Sequence, residues 1–185
     1  EQDFLPLLAK IIPPHLQVEC FAAPSIKDSS ACTATDWLKL VQQIQQLQLN
    51  GFQHFVIIHG TDTLSYAAAT LARFLGHSCH AIITGSQYPL LNVEGNDTRE
   101  FTDATGNLYL ALEQVLSLPT GVYLAFHEQV FHAQTTLKAH TTELDAFVGV
   151  KADQSCQTTA DSLVVQNEYI QQAAELSILN LMLQP

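Results

Sequence analysis

Two short segments carry the side chains whose types and spacing suit a reactive or ligand-holding turn. His59-Gly60-Thr61-Asp62-Thr63 sets two hydroxyls and one carboxylate beside a glycine, and Thr84-Gly85-Ser86-Gln87 makes a second small polar turn of the same kind. Glycine lets the backbone approach a ligand closely, and the free N–H groups at a helix start can hold an oxyanion or a carboxylate. Neither segment is a phosphate loop, because no Gly-Lys-Ser/Thr follows, and neither is a dinucleotide GxGxxG. The same spacing also suits a helix N-cap at Thr61 or Asp62 with Thr63 in the first turn. Spacing alone therefore specifies a small polar ligand or a cap, and no more.

The flanking residues show what must position these turns. From Thr35 to Leu49, Trp37, Leu40, Val41, Ile44 and Leu47 recur at near-helical spacing, with Thr35 or Asp36 as the expected N-cap and Asn50-Gly51 as the stop. The run from His54 to His59 is apolar and β-branched, as in a buried parallel strand, and Leu64 to Leu75 forms a second apolar helix face that Gly76 ends. His80 to Thr84 and Gly121 to Phe126 read as further strands, with a helix from about Asp103 to Leu118 between them. Alternating short strands and helices predict an α/β fold, a three-layer α/β/α arrangement around a mainly parallel sheet with right-handed crossovers. Residues 127–147 read as a short return and 151–170 as a polar excursion or linker. In open sheets of this class, ligands bind beyond the carboxyl ends of the strands, where both polar turns fall.

Composition narrows the partners. The chain has 185 residues, 47% hydrophobic and 14% charged, with seven Lys plus Arg against eighteen Asp plus Glu and a net charge of −11. No basic stripe is present to neutralise phosphates, so nucleic acid is not an expected partner. The same repulsion disfavours an acidic membrane surface, and no apolar run reaches the roughly 20 residues that span a bilayer. Cys20, Cys32, Cys79 and Cys156 lie far apart without a CxxC pair and are expected to be buried or half-buried thiols. The eight histidines contain no HExxH, and neither His77 with His80 nor His127 with His132 has a carboxylate or Cys at ligand spacing, so no metal is expected.

HGTDTLSYAAATLARFL, preceded by GFQHFVII and followed by AIITGSQYP, resembles the signature segment of the bacterial-type L-asparaginase and glutaminase family. Asp28-Ser29-Ser30, Asp103 with Asn107-Leu108, Gly121-Val122-Tyr123, Thr136-Leu137-Lys138-Ala139-His140 and Asp145-Ala146-Phe147 follow in the order the family shows. TGSQ, DSS and KAH are more similar to the cytosolic type I branch than to the exported type II branch. The resemblance covers about residues 20–150.

What it implies is hydrolysis of the side-chain amide of L-asparagine, and of L-glutamine as a second candidate, through a threonine acyl-enzyme without a cofactor. Thr61, Asp62 and Lys138 are then the catalytic group that activates the nucleophile or the hydrolytic water, which requires the lysine to be brought towards neutrality by its surroundings. Asp62 would also pair with the substrate α-ammonium. Asp28, Ser29 and Ser30 would bind the α-carboxylate and its surroundings, Gly60 would let the turn approach the substrate, and Ser86 would lie beside the substrate amide. His59 reads as a strand-end histidine with a structural role. A cytoplasmic protein that forms a homodimer or homotetramer is the corresponding expectation.

The sequence also departs from the family. The second nucleophile of the family lies in a TGGT segment on a first strand, and no TGGT occurs here; Ala133-Gln134-Thr135 stands where a Gly-x-Arg turn is usual. The expectation is a piece of a longer protein: residues 1–175 as an N-terminal α/β domain without its first strand, and 176–185 as the end of a linker leading into a C-terminal domain, with Ser177 to Leu183 as a strand. As such a piece it is expected to be inactive alone. Two other readings stand beside this one: a degenerate domain that binds an amino acid or a protein, and an asparaginase-like subunit serving an amidotransferase.

Overall fold

The computed structural model describes Leu8, residues 11–92 and residues 97–176. The strand expected at Ser177 to Leu183 lies outside the described residues.

Helix α1 (Ala34–Leu49) buries Leu38, Val41 and Ile44 along one face. Its N-cap is Thr33 and not Thr35 or Asp36, because Asp36 sits three residues in and turns back: its Oδ2 accepts the Thr33 N–H at 2.8 Å and the Thr33 hydroxyl at 2.9 Å. Lys27 Nζ donates to the same oxygen at 2.9 Å. Burial opposes ionisation of Asp36, but these hydrogen bonds prevail and hold its carboxyl well below the usual carboxylate range. A depressed folded-state pKa gives stability that is present above the unfolded value of about 3.9 and is lost as pH falls below it. Asp36→Asn is therefore expected to cost about 1 kcal/mol in urea unfolding at pH 7, and progressively less as pH falls from about 4 towards the lower folded value.

Strands β1 (His54–Ile58), β2 (His80–Thr84) and β3 (Gly121–Phe126) are parallel, with His54, His80 and Gly121 in register, and β4 (Gln129–His132) adds to β3 in antiparallel fashion. Alternation along the strands divides the core. Phe55, Ala81, Ile83, Val122, Leu124 and Phe126 face α1 and helix α2 (Leu64–Leu75). Ile82, Tyr123 and Ala125 face helix α3 (Ala104–Ser117), which contributes Ala111 and Val115. The result is the expected three-layer α/β/α fold.

One expectation about the crossovers is corrected. The order β1-β2-β3 steps in one direction, yet α2, which joins β1 to β2, and α3, which joins β2 to β3, lie on opposite faces. Two steps in the same direction over opposite faces have opposite hands, so one crossover is left-handed, against the strong general preference. The chains leaving β1 and β2 consequently diverge to opposite sides of the sheet and open a crevice between their first residues.

Beyond β4, a short 3-10 turn (Ala133–Thr135) leads to a hairpin of β5 (Leu137–Lys138) and β6 (Phe147–Val148), anchored where Phe147 packs edge-on against Phe126 at 4.8 Å. Residues 151–165 are not a loose linker. His77 N–H donates to Ala160 O at 3.0 Å and Leu163 N–H to Phe74 O at 2.8 Å, while the Gln45 amide clasps Leu163 O and Val165 N–H at 2.7 and 3.0 Å. Most side chains of this stretch are exposed, as its composition suggests, but its backbone is held to the body of the fold by Gln45 of α1 and by backbone groups of α2 and the turn after it. Helix α4 (Asn167–Glu175) follows and lies against α1 without burying a residue. Among the four cysteines, Cys79 is buried, Cys32 and Cys156 are half-buried, and Cys20 is exposed, contrary to the expectation for it; all four are free thiols. Among the described residues, no helix is long and apolar enough to cross a membrane.

Candidate functional site

The two polar turns meet at the crevice. Gly85 follows β2 so close to the end of β1 that a Cβ placed on it would lie 2.2 Å from the His59 carbonyl oxygen, and His59 N–H donates to Thr84 O at 2.8 Å. Only glycine permits this approach of one backbone to another. His59 itself turns away: its Nδ1–H donates to Gly60 O at 2.8 Å, and burial pushes its pKa below the ordinary histidine value, more than that hydrogen bond raises it.

The capping alternative for Thr61 and Asp62 does not hold. The N-cap of α2 is Thr63, and its hydroxyl donates to Ser29 O at 2.7 Å. Ser29 is buried behind the turn, where Asp62 N–H donates to its Oγ at 3.3 Å and the Gly60 backbone rests against it, a Cβ on Gly60 falling 2.5 Å from that oxygen. Asp28 caps the 3-10 turn Ser29–Ala31, its Oδ1 accepting the Ser30 N–H at 2.8 Å and the Ser30 hydroxyl at 2.6 Å. These bonds lower the Asp28 carboxyl below its ordinary value.

Thr61 and Asp62 are thereby left to a third element. Lys138, on β5 and 77 residues away in sequence from Thr61, donates from Nζ to Thr61 Oγ1 at 2.9 Å and to Asp62 Oδ1 at 3.2 Å. The lysine side chain is only 13% exposed, whereas that of Asp62 is 55% exposed and faces outward. An ammonium held against a hydroxyl can exchange a proton with it, and the outward carboxylate can receive a cationic group of a ligand.

Gln87 closes the second polar turn, and its side chain reaches further than its place in that turn announces. Thr61 Oγ1 donates to Gln87 Oε1 at 3.1 Å, and Gln87 Nε2 donates to Thr141 O at 3.1 Å and Glu143 O at 2.8 Å, on the loop that follows Lys138. With its amino group committed to two carbonyls, the amide can present only oxygen to Thr61. The hydroxyl thus gives its hydrogen to Gln87 and its lone pair to Lys138. A polar turn after β2 was visible in the sequence, but not the reach of this side chain. Ser86, between Gly85 and Gln87, is half-buried, and among the described residues it has no hydrogen bond to Thr61, Asp62 or Lys138.

Among the described residues, no group of three or more His, Cys, Asp or Glu side chains is arranged to hold a metal ion. An open groove of about 640 Å³ between α1 and α4 is lined by Lys39, Gln42, Gln46, Asn167 and Gln171 and contains no activated nucleophile.

L-asparaginase 1 of Escherichia coli (strain K12) is 34% identical over 124 residues, which are 66% of this chain and 34% of that protein. The 60 kDa lysophospholipase of Mus musculus is 31% identical over 153 residues, 82% of this chain and 26% of that protein. The crystal structure of a probable cytoplasmic L-asparaginase from Campylobacter jejuni superposes with a TM-score of 0.58 at 28% identity, over 66% of this chain and 37% of that one. The chain spans about a third of the length of the curated relatives it matches. The family model described as "Asparaginase, N-terminal" matches residues 6–171, and with it the whole crevice between β1 and β2, so this chain belongs to the asparaginase family.

Proposed function

We propose that this chain carries the amide-hydrolysing centre of an L-asparaginase acting on L-asparagine. The observation that carries the reading is the Lys138 ammonium held between Thr61 Oγ1 and Asp62 Oδ1 in a crevice at the carboxyl ends of the strands. In this reading Lys138, once it has passed its extra proton on, takes the Thr61 hydroxyl proton. Thr61 then attacks the amide carbon or drives a water to do so, and the departing nitrogen leaves as ammonia after receiving a proton; where Thr61 attacks, a water then cleaves the Thr61 ester, frees aspartate and returns the hydroxyl. The Thr61 hydrogen must first swing from Gln87 Oε1 towards Lys138, since an amide oxygen cannot serve as the base.

Asp62, exposed and next to the reacting hydroxyl, pairs with the substrate α-ammonium. The Ser29 hydroxyl accepts from Asp62 N–H and keeps its own hydrogen for an α-carboxylate. Asp28 stays turned towards Ser30, which removes its charge from that carboxylate's path. Gly60 brings the turn close, and Ser86 lines the amide side. L-Glutamine differs from L-asparagine by one methylene, worth roughly 1–3 kcal/mol of discrimination, so it is the natural second substrate. A homodimer or homotetramer completes the reading, in the cytoplasm, a location supported by the Campylobacter jejuni structure described as probable cytoplasmic L-asparaginase.

The test is ammonia release from L-asparagine and L-glutamine by the full-length protein, alongside fatty-acid release from a lysophospholipid. Ammonia from L-asparagine is expected. Lipid cleavage without ammonia release would replace this reading with one nearer the Mus musculus relative's name.

A further inference from the structure

Asn107 is a fully amide-bonded side chain at the base of the crevice, only 3% exposed, and the reaction outlined above does not use it. Its Nδ2 donates to Gly85 O at 3.0 Å and to Asp103 Oδ2 at 3.0 Å, and its Oδ1 accepts the His127 N–H at 2.9 Å. One side chain on α3 thus ties together the end of β2, the start of its own helix and the β3–β4 turn. That turn is costly, since His127 and Glu128 adopt φ of 46° and 61°, a left-handed pair usually built from Asn-Gly. Asp103 completes the arrangement: Oδ2 also accepts the Gln87 N–H at 3.0 Å, and Oδ1 accepts the Tyr88 N–H at 2.9 Å.

These bonds form a continuous path to the reacting hydroxyl. Asn107 orients the Asp103 carboxylate, that carboxylate pins the backbone of Gln87 and Tyr88, and the Gln87 amide meets Thr61 Oγ1. The far end of the same amide holds the loop behind Lys138. Gln87 therefore closes a ring through Thr61, Lys138 and residues 141–143, and the backbone that carries Gln87 is fixed from below by two side chains of one helix turn. A pair that served packing alone would gain nothing from directing both carboxylate oxygens at consecutive amides of a crevice loop.

We propose that Asp103 and Asn107 are positioning residues that act through Gln87 to set the direction of the Thr61 hydroxyl hydrogen relative to Lys138. The proposal rests on the hydrolase reading of the same site. Loosening the pair leaves the substrate's charged ends on Asp62 and Ser29, so binding persists while the hydroxyl loses its alignment, and a misplacement near 1 Å costs on the order of 100-fold in rate.

The test uses the full-length protein with Asp103→Asn, which keeps an acceptor for only one of the two amides and sets an N–H₂ against the other, and with Asn107→Asp, which removes both donors. Asp103 lies half-buried at a helix start, so Asp103→Asn keeps the test usable if Asn107→Asp does not fold. Amide hydrogen exchange at Gln87 and Tyr88 is expected to quicken at least tenfold while exchange at Ile83 and Leu124 stays unchanged. With L-asparagine, kcat is expected to fall roughly 10- to 100-fold and KM to stay within threefold. Unchanged exchange at Gln87 and Tyr88, or quickened exchange with an unchanged kcat, would overturn the positioning role alone. An unsubstituted protein that hydrolyses no amide would overturn the hydrolase reading, and this proposal with it.

Discussion

Lys138→Met is expected to lower amide hydrolysis by about 10²–10⁴-fold, the range typical of losing a positioned proton-transfer group. Methionine preserves most of the stem that β5 buries and removes the ammonium that meets Thr61 Oγ1 at 2.9 Å. The partner left behind is cheap to leave, because Asp62 is more than half exposed and water can solvate its carboxylate. Activity should therefore collapse while thermal unfolding moves little. Steady-state kinetics and a melting curve on the same sample separate the two. A variant that keeps its rate within threefold would show that Lys138 serves only as a structural ion pair.

Gly85→Ala is expected to affect stability and rate together. The added methyl would sit 2.2 Å from the His59 carbonyl oxygen, a backbone atom held in place by the His59 N–H to Thr84 O bond, so no side chain can rotate to make room. Parting the ends of β1 and β2 is the remaining response. Overpacking of this kind costs about 1–3 kcal/mol, and because Thr61 lies in the displaced turn, the rate should fall at least about tenfold as well. Gly106→Ala is the matched control: nothing lies within 4 Å of its Cβ position in the first turn of α3, and there the change should stabilise by about 0.4–1 kcal/mol. Urea unfolding of the two variants should shift in opposite directions.

The layered fold could be read from the sequence because burial writes itself into short periodicities. The apolar runs at 54–58, 80–84 and 121–126 became the three parallel strands, and the helix faces between them became the two outer layers. What escaped notice depends on contacts between residues distant in sequence. The opposite hands of the crossovers depend on which face each helix chooses, and nothing in the spacing of α2 or α3 states that choice. The 151–165 segment has the composition of a linker, and only the positions of Gln45 and Phe74 turn it into a bound strap. Thr33 displaced Thr35 as the cap of α1 because Asp36 had Lys27 and Thr33 within reach.

The candidate site divides in the same way. The resemblance of HGTDT and the KAH segment to known relatives singled out Thr61, Asp62 and Lys138, and the fold brings these three side chains into mutual hydrogen bonding. Ser29 is brought to the turn as well, though as its buried support, while Asp28 and Ser30 are occupied with each other. Gln87 stood in a polar turn and Asp103 with Asn107 in a segment that resembles the family, but nothing local in the sequence shows that the three bond to one another. Their joint role arises only where β2, α3 and the loop after Lys138 converge.

Ammonia release from L-asparagine by the full-length protein, with and without Thr61→Ala, tests the central claim most directly. Thr61 is only half-buried, so the variant should fold, with an unchanged circular dichroism spectrum and a similar melting temperature. The account predicts a fall of at least about 10³-fold in kcat, since neither Lys138 nor Asp62 has a hydroxyl left to act upon. A folded Thr61→Ala protein that releases ammonia at the unsubstituted rate would contradict it.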